Sequence, residues 1–124
     1  MGGPFNPDLD YEIVEGFGAL PKMKTDSLSF QAYVRNNWTD DHYENDLKSL
    51  FIMATGYAGE TGEVVELLKK HVRDGRDIKA DLLLELGDQL HYFVRIAQRF
   101  GFTLEEIMDA NIVKLDERFG RKDG

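Results

Sequence analysis

Four acidic residues in two short pairs, Glu60-x-x-Glu63 and Glu85-x-x-Asp88, are the part of this chain best suited to chemistry. Each pair falls in a helical stretch, where positions three apart share a face with Cβ atoms about 5–6 Å apart. Like charges at that spacing repel, so four of them gathered together call for a cation. Carboxylate oxygens favour a hard divalent ion, Mg²⁺ or Mn²⁺, over zinc or copper. Such an ion keeps positions open for water and phosphate oxygens and lowers the pKa of an attacking water. The chemistry that fits is hydrolysis of a phosphoanhydride. A solvated acidic face is the plain alternative. Against it stand the apolar neighbours Val64, Leu84 and Leu86. Gly56, Gly59 and Gly62, at i, i+3 and i+6, are expected to trace one strip that another backbone or a ligand approaches.

To bring the pairs together the chain must supply two antiparallel helices. Leu47, Leu50, Phe51, Ala54, Ala58, Val65 and Leu68 recur at helical spacing, predicting a helix from His42–Asn45 to about Arg73. Asp74-Gly75-Arg76 is a stop, and Asp77 can cap a next helix carrying Leu82, Leu83, Leu86, Leu90, Phe93, Val94 and Ala97. Gly101 ends that helix. Thr103-Leu-Glu-Glu106 is a capping box opening a last one, with Ile107, Ala110, Ile112, Val113 and Leu115 as its apolar positions. A first helix, capped by Asp26 or Ser27, precedes a turn-like Asn37-Trp38-Thr39-Asp40-Asp41. The expected fold class is all-α: a four-helix bundle with a central antiparallel hairpin and no convincing strand. Residues 1–25 read as an irregular N-terminal arm whose Phe5, Tyr11 and Phe17 pack on something, 26–120 as the helical domain and 121–124 as a tail. Counted from a turn near residues 75–76, Glu63 and Asp88 stand level, while Glu60 and Glu85 differ by roughly 9 Å in height. Glu63 and Asp88 are therefore expected to be the firmest members of the site.

Composition narrows the partners. The 124 residues suit one domain, and the absence of cysteine removes disulfides and thiolate zinc sites from consideration. With 15 basic against 23 acidic residues the net charge is −8, which argues against a nucleic-acid polymer but not against a single nucleotide. No basic start or apolar run suggests a secretory signal or a membrane span, so a cytoplasmic setting is expected.

GYAGETGEVVELLKK at 56–70, LLLELGDQLHYF at 82–93 and FTLEEIMDANIVKLDERFG at 102–120 together resemble the MazG-like all-α nucleoside triphosphate pyrophosphohydrolases, in particular their compact phage and bacterial forms. The resemblance implies hydrolysis of a nucleoside triphosphate between its α- and β-phosphates, giving the monophosphate and pyrophosphate. It implies Mg²⁺ or Mn²⁺ held by Glu60, Glu63, Glu85 and Asp88, with Glu60 or Glu63 also orienting or deprotonating the water. Asn111, Lys114 and Arg118, which share one face of the last helix, would contact phosphates or sugar. Relatives often carry an aromatic residue where this chain has His91, so His91 is either part of the base pocket or a core histidine. Trp38 is a candidate stacking platform, with Gln31 and Asn37 as edge contacts. MazZ-like phage members act on dGTP, which makes a purine deoxynucleotide a candidate here, and a phage origin would place the protein in the host cytoplasm. Relatives are dimers or tetramers, so a homodimer or homotetramer is expected.

Two other function classes compete. A carboxylate-bridged redox bundle uses two Glu-x-x-His pairs; only Asp88-x-x-His91 comes near that pattern. A non-catalytic nucleotide-binding or helical interaction module would not require the acidic quartet.

Overall fold

The structure, a computed structural model, describes residues 10–21, 25–38 and 46–120. Pro4, Phe5, Pro7, Thr39-Asp40-Asp41, His42 and the tail at 121–124 lie outside the described residues. Four helices follow one β-hairpin: α1 is Ser27–Asn37, α2 Asp46–Asp74, α3 Lys79–Arg99 and α4 Leu104–Arg118. The all-α expectation holds for the bundle, with the long α2 and α3 packed as an antiparallel hairpin.

The irregular arm needs correction. Tyr11–Val14 (β1) pairs antiparallel with Gly18–Pro21 (β2), Tyr11 opposite Pro21 and Val14 opposite Gly18. The turn closes through the Phe17 N–H donating to the Val14 carbonyl at 2.9 Å. Gly16 and Gly18 take φ of 81° and 110° there, values that side chains disfavour. Gly16 also lies beside Ala80, so the ribbon leans on the first turn of α3.

Local signals set the helix ends. The Asp26 carboxylate accepts from the Ser29 N–H at 2.8 Å, and α4 opens on the complete Thr103/Glu106 capping box. At the α2–α3 turn Gly75 adopts φ 68°, while the Asp77 carboxylate accepts from the Lys79 N–H at 3.1 Å. His71 Nδ1 lies 2.8 Å from the Arg76 carbonyl across the same turn.

Val34, Met53, Leu67, Ile78, Val94 and Ala97 form the buried apolar core. The apolar positions expected to build the core of α2 are instead mostly outside it. Leu47, Phe51, Val65 and Leu68 are exposed, together with Val72, whereas Ser49, Met53 and Leu67 are buried. At about 100° per residue the exposed set forms one stripe and the buried set another, roughly a third of a turn apart. Periodicity alone could not say which stripe meets α3. In α4, Ile112 and Val113 are likewise exposed.

Candidate active site

The register of the hairpin decides which acids meet. The Tyr57 ring lies against Phe93 at 6.4 Å, and the Gln89 amide donates to the Thr61 hydroxyl at 3.0 Å. Four residues along α2 are thus matched by four residues back along α3. Glu60 consequently faces the turn of α3 that carries Glu85 and Asp88. One carboxylate oxygen from each of Glu60, Glu85 and Asp88 lies within 4.8 Å of the other two. Glu60 and Glu85 are half-buried and Asp88 is exposed.

Glu63 stands outside this trio, although it was expected with Asp88 to be among the firmest members of the site. Height was not the deciding variable. Three residues advance a helix by about 300°, so Glu63 sits about 60° around α2 from Glu60, toward solvent. It remains close enough to act on Glu60 through its charge.

The Glu60 carboxyl is pushed above its ordinary value of 4.5, first by burial, then by the Asp88 charge and by a hydrogen bond and charge from Glu85. A hydrogen bond between two carboxyl groups needs a proton on one of them. A divalent ion would replace it and offset the repulsion, so the residues present fit Mg²⁺ or Mn²⁺.

Beside the trio opens a cleft of roughly 400 Å³ lined by Asn37, Trp38, Glu60, Asp88, His91 and Tyr92. Three of the expected base-pocket residues, Asn37, Trp38 and His91, therefore sit next to the acids. Trp38 is the extended C-cap residue of α1. Its indole stacks on His91 at 6.1 Å and 27°, meets Tyr92 edge-on at 5.5 Å, and has the Arg95 guanidinium 5.5 Å above its ring. Phe30 meets the other side of this cluster, edge-on to His91 at 6.4 Å. Tyr92 was not singled out by sequence. Its position four residues after Asp88, on the same helix face, is the signal that could have found it.

Gln31 is not at the cleft. It is buried, and its amide nitrogen donates to the Ser27 carbonyl, the Ser27 hydroxyl and the Glu105 carboxylate at 2.9 Å. Its amide oxygen accepts from the Leu104 N–H at 2.9 Å, and its backbone carbonyl accepts from Gln98 at 2.8 Å. With every atom of the amide in use, Gln31 ties α1 to α3 and α4 and has nothing left for a base edge.

Asn111, Lys114 and Arg118 are exposed on α4, which packs on α1. The structure does not bring them to the cleft, whose walls carry no lysine or arginine among the described residues. The glycine strip also resolves into separate cases. A Cβ on Gly56 would collide with the Tyr92 ring, while Gly59 and Gly62 face open space. Each step of three residues turns the strip further round the helix and away from α3.

A sequence profile of the MazG nucleotide pyrophosphohydrolase domain matches residues 50–120, more than half of the chain. The chain is also similar to the Gene 37 protein of Mycobacterium phage L5, 29% identical over 82 residues that span 62% of this chain and 72% of that protein. No solved structure matches it. The matched segment begins before the first acid of the trio and ends after α4, so it contains both acidic pairs and the Asn111/Lys114/Arg118 face. On that match the chain belongs to the MazG family of nucleotide pyrophosphohydrolases.

Proposed function

We propose that this chain is a metal-dependent nucleoside triphosphate pyrophosphohydrolase that opens the bond between the α- and β-phosphates, releasing a nucleoside monophosphate and pyrophosphate. The observation that carries the reading is the trio of Glu60, Glu85 and Asp88 at the mouth of an aromatic cleft. Mg²⁺ or Mn²⁺, when bound, supplies charge neutralisation at phosphate oxygens and a lowered pKa for an attacking water. Glu60, Glu85 and Asp88 hold the ion, and Glu63, on the solvent side of Glu60, completes the acidic face. Either Glu60 or Glu63 orients the water and takes its proton as the oxygen bonds to phosphorus and the bridging oxygen departs. Trp38, His91 and Asn37 take the nucleoside end.

A purine deoxynucleoside triphosphate such as dGTP is the first substrate to try, since the cleft offers broad ring surfaces together with the polar side chain of Asn37. Asn111, Lys114 and Arg118 are proposed to reach the phosphates from a second subunit of a homodimer or homotetramer. The lack of a lysine or arginine among the described residues that line the cleft favours that arrangement.

The test is a panel of nucleoside and deoxynucleoside triphosphates with Mg²⁺ or Mn²⁺, read by pyrophosphate release, for wild type and Glu60→Gln. Cleavage of no triphosphate, or equal rates for the two proteins, would sink the proposal. Calorimetric binding of nucleotide without cleavage would select the non-catalytic binding module instead. The redox bundle gains no support, because His91 is engaged with aromatic rings and is not among the grouped ligand atoms.

A further inference from the structure

We propose that Gly56, which does not itself line the cleft, is a positioning residue that sets the width of the cleft through Tyr92 and Trp38. A Cβ built on Gly56 would stand 2.5 Å from Tyr92 Cζ and 2.9 Å from its hydroxyl oxygen, and closest of all to Cε1. Carbon atoms in contact are normally about 3.5–4.0 Å apart. The Tyr92 ring therefore lies directly on the backbone of α2, in space that only glycine leaves open.

Tyr92 in turn locates Trp38. The two rings meet edge-on at 5.5 Å and 88°, and His91 meets Tyr92 at 6.3 Å and Trp38 at 6.1 Å. The Trp38 Nε1 is buried without a hydrogen-bond partner among the described residues. No hydrogen bond from the indole to those residues fixes its place, so ring packing does. A methyl group at Gly56 must lift the Tyr92 ring off α2. Tyr92 meets Trp38 edge-on and lines the cleft, so movement of its ring toward either one narrows the cleft beside Glu60 and Asp88.

This inference rests on the cleft receiving the nucleoside, and it predicts a size-dependent effect. In Gly56→Ala the KM for dGTP should rise at least about 10-fold more than that for dCTP, the scale on which one methylene changes discrimination in a pocket. The change in kcat should be smaller than the change in KM, and Mn²⁺ binding should stay within about 2-fold, as expected when the ligand oxygens have not moved. Trp38 is the sole tryptophan of the chain, so its fluorescence reports on this wall directly. Its emission should shift in Gly56→Ala.

The experiment compares wild type, Gly56→Ala, Tyr92→Leu and Gly56→Ala/Tyr92→Leu for Trp38 emission, Mn²⁺ binding and kinetics with dGTP and dCTP. If the ring contact is the cause, Gly56→Ala has its effects when Tyr92 is present and almost none when it is added to Tyr92→Leu. Should Gly56→Ala fail to fold, the double variant should fold and bind Mn²⁺. Unchanged emission and an unchanged dGTP/dCTP ratio in Gly56→Ala would overturn the proposal. So would equal effects in both backgrounds, or failure of the double variant to fold. If wild type cleaves neither triphosphate, the preference for dGTP fails and the kinetics pass to whichever triphosphate of the panel is cleaved, while the emission cycle still decides whether Gly56 positions Trp38.

Discussion

Glu60 is where local electrostatics and function meet. Its carboxyl is raised by burial and by the neighbouring acids, so the folded chain holds a proton that the unfolded chain releases near 4.5. The sign follows from linkage. Without metal, this group favours the folded state fully below 4.5, and that contribution is lost as pH rises through the elevated folded value. In EDTA, the Tm of wild type should therefore decline relative to Glu60→Gln as pH is raised from about 4.5 toward neutrality, and the difference should then level off. A parallel course for the two proteins would show that the carboxyl cluster exerts no such strain. In the same variant, metal-dependent turnover should fall by at least roughly 100-fold, since loss of groups that merely orient ligands already costs 10–100-fold. Gln31 provides the contrast. Gln31→Ala strands the part-buried Leu104 N–H, and leaving such a group without its partner costs about 1–3 kcal/mol. Its Tm should drop while KM for any triphosphate stays at the wild-type value. A raised KM with an unchanged Tm would restore Gln31 to the base pocket.

At the level of elements, whatever depended on a few consecutive residues was legible. The Thr103/Glu106 box, the Asp26 cap and the Gly75 stop are local hydrogen-bond or backbone preferences, and each stands where the chain spells it. What depended on rotation about a helix axis was not. The acidic pairs were visible, but the trio of Glu60, Glu85 and Asp88 depends on angular position, which counting heights from the turn leaves out. The two apolar stripes of α2 are equally periodic, and only packing selects the one containing Met53 and Leu67. The β-hairpin eluded a reading tuned to long periods, because four-residue strands offer little alternation to detect. Tyr92 gave no motif, since its role arises from a missing side chain on another helix. The capping box also offers a clean test of the local rules. Thr103→Ala should cost about 1 kcal/mol, lowering Tm by roughly 4 °C for a chain of this size. Glu106 is held below the usual carboxylate range by the Thr103 N–H and then its hydroxyl. Its contribution is therefore present above 4.5 and lost as pH falls through the lowered value. The penalty of Thr103→Ala should shrink on acidification through that range, and a penalty independent of pH would mean that the Thr103 hydroxyl acts only as acceptor of the Glu106 N–H.

At the scale of the whole molecule, large apolar side chains stand exposed on the described helices. Much of the surface on its helices is apolar: Phe51, Val65 and Val72 along α2, Phe100 and Phe102 after α3, and Ile112 and Val113 on α4 are all more than half exposed. Near Phe93, Ile96, Ala97, Phe100, Phe102 and Ile107 the surface dips into an almost wholly apolar groove of about 280 Å³. Isolated exposed hydrophobes need no explanation, but contiguous apolar stripes on several helices are the kind of surface that another chain can cover. A stable interface takes about 800 Å² from each partner, and we propose that these stripes supply it in a homodimer or homotetramer. In the proposed oligomer, Lys114 and Arg118 of a second copy reach the acid-lined cleft. Val72→Glu, in the exposed stripe and remote from the acids, should convert the oligomer to monomer by light scattering after size-exclusion chromatography. If Lys114 and Arg118 act across the interface, the monomer should also lose turnover while keeping its Mn²⁺ affinity. A wild-type protein that runs as a monomer at assay concentration, yet cleaves triphosphates, would require the phosphates to be held by one chain alone.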